Sequence, residues 1–266
     1  MTPDILVVCF VLFLALLGIY ISYAYWGPKE GIRILMYHKL DPTKSDVLTV
    51  STTQFAQQIN FLMQEGYSFL TFKDLIDARE KYAVLPDKSV LLTFDDGYQN
   101  NFEYVLPILK QEGIKATIFL PVDLIGKENE WDGGGEKLMD WKTLKKARPH
   151  FEYGLHSFRH QNLAEMTRDE FRQDLEECLN TLDRNELEVV PVLAYPYGRY
   201  PKSTQKFKDF VEVMDEFALQ FALRIGNKQN EWPIKNRYLL CRIDVRGTDS
   251  FEKFKNKIAN GKVKMF

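Results

Sequence analysis

The sequence predicts an α/β fold in which parallel strands form a barrel or a sheet, and three observations lead there. Seven short apolar runs are spaced between stretches of helical periodicity, the alternation that builds parallel architectures. The residues of strongest chemical character, His38, Asp95, Asp96, His156 and Tyr197, fall where those runs end, and in α/β barrels the carboxyl ends of the strands carry the active site. The composition, 45% hydrophobic and 27% charged over 266 residues, suits one globular domain with a sizeable core.

The elements follow in order. From Ile5 to Trp26 no charge occurs, and about 22 residues are enough to cross a hydrocarbon core of roughly 30 Å. Tyr20, Tyr23, Tyr25 and Trp26 crowd the far end, as aromatic residues do at a membrane interface. A cleavable signal peptide would want a basic start and a small-residue cleavage site. Met1–Asp4 has no Lys or Arg and no such site follows. A retained single-pass transmembrane helix is therefore expected, with residues 1–28 as anchor and juxtamembrane segment and 29–266 as the catalytic domain. Lys29, Arg33 and Lys39 follow the span and no basic residue precedes it, which by the positive-inside rule points the domain to the cytoplasm.

The runs Ile32–Tyr37, Val90–Phe94, Ala116–Leu120, Glu152–Leu155, Val189–Tyr195, Ala218–Arg224 and Tyr238–Ile243 are the expected strands. Residues 41–50 form a polar loop after His38. Ser51 and Gln54 then make a capping box ahead of Phe55, Ile59, Leu62 and Met63 at helical spacing. Thr167 and Glu170 open a second helix carrying Phe171, Leu175, Cys178, Leu179 and Leu182, and Phe207, Phe210, Val211 and Met214 mark a third. Trp131 stands at the base of a mobile Asp-Gly-Gly-Gly loop. Cys9, Cys178 and Cys241 are too few and too scattered for a disulfide framework. Past Trp26 the balance is 35 basic to 36 acidic residues, without the basic excess a nucleic-acid partner requires.

Two segments carry the chemistry. In Leu91–Tyr98 a buried strand ends in two adjacent carboxylates and a glycine. Like charges so close resist joint ionisation unless a cation sits between them or water solvates them, although Asp-Asp-Gly is also ordinary turn chemistry. His156 and His160 are two of only four histidines, and imidazoles four apart on one helical turn can grip one ion. Together they suggest an Asp-His-His metal site with open positions, suited to catalysis.

Thr93-Phe94-Asp95-Asp96-Gly97, His156-Ser157-x-x-His160 and Tyr195-Pro196-Tyr197-Gly198, in this order, resemble the NodB-type polysaccharide deacetylase family (carbohydrate esterase family four). The opening Ile34-Leu35-Met36-Tyr37-His38 is similar to a subgroup that includes biofilm poly-N-acetylglucosamine deacetylases. The resemblance covers roughly residues 32–245. It implies a distorted (β/α) barrel of about seven strands and a metal-dependent hydrolase that takes N-acetyl groups from an N-acetylhexosamine polysaccharide. Asp96, His156 and His160 would hold a divalent ion, Zn2+ by default for such donors, with Asp95 as general base. The Tyr197 backbone N–H would join the oxyanion site.

The chain departs from the family twice. No histidine follows His160, so His38 is the expected general acid, with His150 as the lesser candidate. Ala194 stands where the family places an arginine that pairs with the base, so Arg242 is expected to take over that pairing and Asp244 to orient His38. Trp131, Trp141 and Trp232 are candidate sugar platforms. The resemblance implies a domain outside the bacterial cell membrane, against the charge bias. A lipid-linked sugar is the alternative substrate, and an inactive carbohydrate-binding protein the alternative of another class. A metal phosphoesterase would want further ligands for a second ion.

Overall fold

A computed structural model describes residues 12–14, 17–18 and 31–260. The chain divides into two units, Met1–Glu30 and Gly31–Phe266. In the first, residues 12–14 and 17–18 are helical, and Leu12, Phe13, Leu14 and Leu17 are exposed. Among the described residues no helix is long and apolar enough to cross a membrane. The expected span Ile5–Trp26 lies mostly outside the described residues, as does Cys9.

The second unit runs β1 (Gly31–Tyr37), β2 (Lys39–Asp41), β3 (Thr49–Ser51), α1 (Thr52–Gln64), β4 (Ser68–Phe69), α2 (Phe72–Glu80) and β5 (Lys88–Asp95). A π-helical turn, Asn101–Val105, leads into α3 (Leu106–Glu112) and β6 (Ala116–Leu120). Then come α4 (Trp141–Ala147), β7 (Phe151–Leu155), α5 (Arg168–Arg184), β8 (Val192–Ala194), α6 (Thr204–Glu216), β9 (Phe221–Ile225), β10 (Leu240–Asp244) and α7 (Phe251–Asn260). The strand order β1-β10-β9-β8-β7-β6-β5 closes on itself through a seven-residue parallel register between β1 and β5, from Gly31↔Lys88 to Tyr37↔Phe94. The result is a parallel barrel of seven strands, with β4 attached beside β5.

These seven are the seven apolar runs of the sequence. They are legible because strands covered on both faces need no polar side. Alternation sorts their side chains. Leu35, Tyr37, Val90, Leu92 and Phe94 belong to the cluster packed under the helices, while Ile32, Ile34, Leu91, Phe119, Val192, Phe221, Leu223 and Leu240 fill the barrel. Phe119 occupies so much of that interior that a Cβ on Gly154 would lie 2.6 Å from its ring. The amino end of the barrel is plugged by Phe72 and Leu75 of α2.

The capping boxes at Ser51–Gln54 and Thr167–Glu170 open α1 and α5. Met63 of α1 is 41% exposed, not part of the core face. The polar loop 41–50 is shorter than expected at each end, because β2 and β3 pair with one another. The larger correction concerns His156 and His160, which lie on no helix. Ser157 (φ 60°) and His160 (φ 55°) are left-handed, and the backbone after β7 is instead tied by Phe158 N–H to Asp174 Oδ1 (2.9 Å) and Gln161 N–H to Ser157 Oγ (2.9 Å).

Candidate active site

Asp95 is the last residue of β5 and faces the barrel interior. In a regular strand the next side chain would face away. Asp96 escapes this by taking a left-handed conformation (φ 72°), followed by Gly97 (φ 71°), and both carboxylates turn into one cavity. Gly97 is required twice over, by its φ and because a Cβ there would come within 2.7 Å of Leu120 Cδ2. His156 enters from the end of β7 and His160 from the loop behind it. One ligand atom from each of Asp96, His156 and His160 lies within 4.8 Å of the other two.

The atoms are set up for a cation. Asp96 Oδ1 is 3.2 Å from His160 Nε2 and 3.5 Å from His156 Nε2, yet it is buried with no hydrogen-bond partner. His156 Nδ1 lies 2.8 Å from the Ala194 carbonyl. That contact keeps the proton on Nδ1 and aims the Nε2 lone pair at Asp96. Burial lowers the His156 pKa to about 4 and, with His156 beside it, that of His160 to about 2. Burial and the Asp95 charge raise that of Asp96 to about 8. Two neutral imidazoles and a carboxylate that resists ionisation converge on one point, where a divalent ion would satisfy all three.

Asp95 is treated differently. Arg242, almost fully buried at the middle of β10, donates Nη1 to Oδ1 (2.5 Å) and Nη2 to Oδ2 (2.7 Å). Burial pushes the Asp95 carboxyl up, but the Arg242 guanidinium and the nearby imidazoles outweigh it and hold the group far below the carboxylate range. His38 Nε2 is 3.9 Å from Asp95 Oδ2, and His156 Nε2 is 3.8 Å from the same oxygen. Burial lowers the His38 pKa, against the Asp95 charge that raises it. Tyr197, left-handed (φ 58°) and half exposed, sets its ring edge on His160 at 4.7 Å.

His38, Asp95, Asp96, His156, His160, Tyr197 and Arg242 thus line one cavity of about 220 Å³. A wider groove of about 640 Å³ meets it at His160 and Tyr197 and runs past Glu165, Glu170 and Glu177. Not every expectation lands here. Asp244 borders the cavity but gives its carboxylate to Arg246 Nε (2.6 Å), not to His38. His150 sits at the opposite end of the barrel, where its carbonyl accepts from Ala116 N–H. Trp232 donates to the Ala83 carbonyl and Trp141, at the start of α4, packs on the core, and neither lines the cavity or the groove.

Trp131 is the surprise. Its Nε1–H donates to Asp96 Oδ2 (3.2 Å) and lies 3.2 Å from the Tyr98 hydroxyl, and its ring stacks on His160 at 4.0 Å. The Trp-Asp-Gly-Gly-Gly segment shows a loop with an aromatic at its base, but nothing in it says that the loop folds back over Asp96. Tyr98 lies buried directly beside the acid pair, and its place in the sequence, after Asp-Asp-Gly, carries no signal of that role.

A model of the polysaccharide deacetylase family matches residues 83–212. YxkH of Bacillus subtilis (strain 168), named as a polysaccharide deacetylase, is 29% identical over 173 residues, 65% of this chain and 59% of that protein. The chain therefore spans less than two thirds of the length of that relative. The poly-beta-1,6-N-acetyl-D-glucosamine N-deacetylase of Staphylococcus aureus (strain MRSA252) is 27% identical over 217 residues, 77% of this chain and 70% of that protein. Among solved structures, IcaB from Ammonifex degensii superposes with a TM-score of 0.72 at 22% identity, covering 89% of this chain and 99% of that one. Streptococcus pyogenes deacetylase PplD does so with a TM-score of 0.71 at 22% identity, covering 87% and 99%. At such identities these two speak for the fold alone.

Proposed function

We propose that the chain is a polysaccharide deacetylase, a hydrolase of amide bonds that removes N-acetyl groups from an N-acetylhexosamine polymer, a reading supported by the family match over residues 83–212 and by the Staphylococcus aureus relative. The observation that carries this reading is the division of labour between neighbours. Asp96 points an unpartnered oxygen at two imidazoles, while Asp95 is held ionised by Arg242 in the same cavity.

Asp96, His156 and His160 would hold the ion, zinc by the chemistry of the donors. Such an ion supplies Lewis acidity that polarises an amide carbonyl and brings a water toward a pKa of about 7. Asp95, unligated and anionic, takes the proton from the attacking water. Arg242 keeps that carboxylate charged and in place. His38, facing Asp95 across the cavity, delivers a proton to the departing amine, so that acetate and a free amino sugar leave. The Tyr197 backbone N–H stabilises the developing oxyanion, a contribution of about 3 kcal/mol where such donors have been removed.

The groove that meets the cavity at His160 and Tyr197 favours a polymer, since neighbouring sugars need a path past the reacting unit. Poly-β-1,6-N-acetylglucosamine, named for the Staphylococcus aureus relative, is the first polymer to offer. The segment Ile5–Trp26 anchors the chain in the bacterial membrane, in keeping with the exposed apolar side chains of Leu12, Phe13, Leu14 and Leu17. The domain stands on the extracytoplasmic face. The same anchor favours a lipid-linked sugar as the second reading.

Acetate released by the purified chain from N-acetylglucosamine oligomers and from a polyprenyl-linked amino sugar, with and without chelator, tests the function. Chelator-sensitive release from the oligomers supports it. Release from the lipid-linked sugar alone favours the second reading. No release from either, with the ion bound, leaves a carbohydrate-binding protein. Protease treatment of intact cells and of inverted vesicles reports the face.

A further inference from the structure

The two imidazoles of the site are supported in different ways. His156 has the partner that metal-binding histidines ordinarily have, a backbone carbonyl on Nδ1. His160 has none, because its Nδ1 is buried without a hydrogen-bond partner. Its ring is fixed by packing instead, between the indole of Trp131 (4.0 Å, 24° between planes) and the edge of Tyr197 (4.7 Å, 64°). The same indole donates Nε1–H to Asp96 Oδ2 and leaves Oδ1 as the oxygen turned to the imidazoles. One side chain thus sets the rotation of one ligand and chooses the oxygen of another.

Trp131 is itself held from behind. Asn129 Nδ2 donates to the Trp131 carbonyl (2.6 Å), Glu136 N–H donates to Asn129 Oδ1 (2.8 Å), and Gly134 N–H returns to the Trp131 carbonyl (2.9 Å). Gly133, Gly134 and Gly135 all have positive φ, which lets the loop turn back so tightly.

From this we infer that Trp131 is a positioning residue of the metal centre, taking the place of the hydrogen bond that His160 lacks and holding Asp96 to one-oxygen ligation. Contacts of this kind, when removed, lower ion affinity about 10–100-fold. The inference rests on the metal-dependent reading proposed above.

The test is Co2+ and Zn2+ affinity of the full chain by chelator competition, together with the visible absorption of the Co2+ form, which reports ligand geometry. Trp131→Phe keeps a stacking ring and loses the N–H, and is expected to bind about 10-fold more weakly with a shifted Co2+ spectrum. Trp131→Ala loses both contacts and is expected to approach 100-fold, about the upper end of such effects. Trp232→Phe, at the other end of the barrel, should match the wild type. Folded Trp131 variants with wild-type affinity and an unshifted spectrum overturn the inference, and if the alanine variant does not fold, the phenylalanine variant decides. A wild type that takes up neither ion overturns the metal-dependent reading, and the inference with it.

Discussion

At the amino end of the barrel Glu152 points inward with its carboxylate fully used. It accepts from Phe72 N–H (2.9 Å), Lys73 N–H (3.1 Å) and the Thr117 hydroxyl (3.1 Å), and so caps α2 where that helix plugs the barrel. Arg33 at the same end donates to the carbonyls of Ile258 (2.7 Å) and Gly31 (3.0 Å). At the carboxyl end Asp96 Oδ1, His160 Nδ1 and Arg242 Nε are buried with no partner. Burying a polar group unpaired costs about 1–3 kcal/mol. The two ends are built from the same strands and differ in whether that penalty is removed. Where the fold needs strength, polar groups are satisfied within the chain. Where it needs a ligand, they are left open and held in place by neighbours.

That contrast can be broken most directly at Asp96. Asp96→Ala is expected to abolish divalent-ion uptake in equilibrium dialysis and acetate release with it. The ion-free protein should melt no lower than the wild type, because Asp96 Oδ1 is an unmet acceptor and the Trp131 N–H that Oδ2 accepts keeps the Tyr98 hydroxyl as a partner. A large fall in ion-free stability would make Asp96 a structural residue and end the comparison.

His38→Ala is the next largest effect. Loss of a positioned acid lowers turnover by about 10²–10⁴-fold, while ion affinity stays at the wild-type value. Loss of the ion would make His38 a ligand or a support for one.

At the other end Glu152→Ala should lower stability in urea unfolding by about 1–3 kcal/mol, because the Phe72 and Lys73 N–H groups and the Thr117 hydroxyl lose their acceptor. Activity per folded molecule should not change. A drop in turnover without a drop in stability would show that the two ends are coupled.

The last effect belongs to the carboxyl end and shows only as a slope with pH. Asp174 on α5 supports the His156–His160 loop through Phe158 N–H, and burial raises its pKa from 3.8 to about 7. A carboxyl whose folded pKa is raised binds its proton more tightly in the native state. Its contribution to stability is therefore present below about pH 4 and is lost as pH rises through about 7. Asp174→Asn keeps an oxygen for Phe158 N–H and cannot ionise, so it should flatten the melting temperature between those limits. An unchanged slope would assign the pH dependence to other groups.

The seven barrel strands were legible because each is buried over most of both faces and so appears as a mainly apolar run. β2, β3 and β4, of two or three residues, are too short to leave a pattern. α1 and α5 announced themselves through Ser/Thr-x-x-Gln/Glu boxes. α2 carries Thr71 with Asp74, a box of the same kind closed by a shorter acid and so a weaker signal in the sequence. In the site, the acid pair and the histidine pair stood out by spacing and scarcity. The pairing of Arg242 with Asp95 was expected from the family resemblance, as a substitute for the arginine missing at Ala194, across 147 residues, but only closure of the barrel brings β10 to β5. The helix expected under His156 and His160 is absent, because left-handed turns at Ser157 and His160 serve convergence better than a regular repeat.

The linear chain thus determined which residues bring carboxylates and imidazoles and at which strand ends they stand, since burial pattern and donor chemistry are local properties. Which oxygen of Asp96 is free, which imidazole lacks a carbonyl partner, and that Trp131 lies over both were decided only in three dimensions. Those facts depend on contacts between loops at the ends of different strands, and no periodicity encodes how such loops fold back on one another.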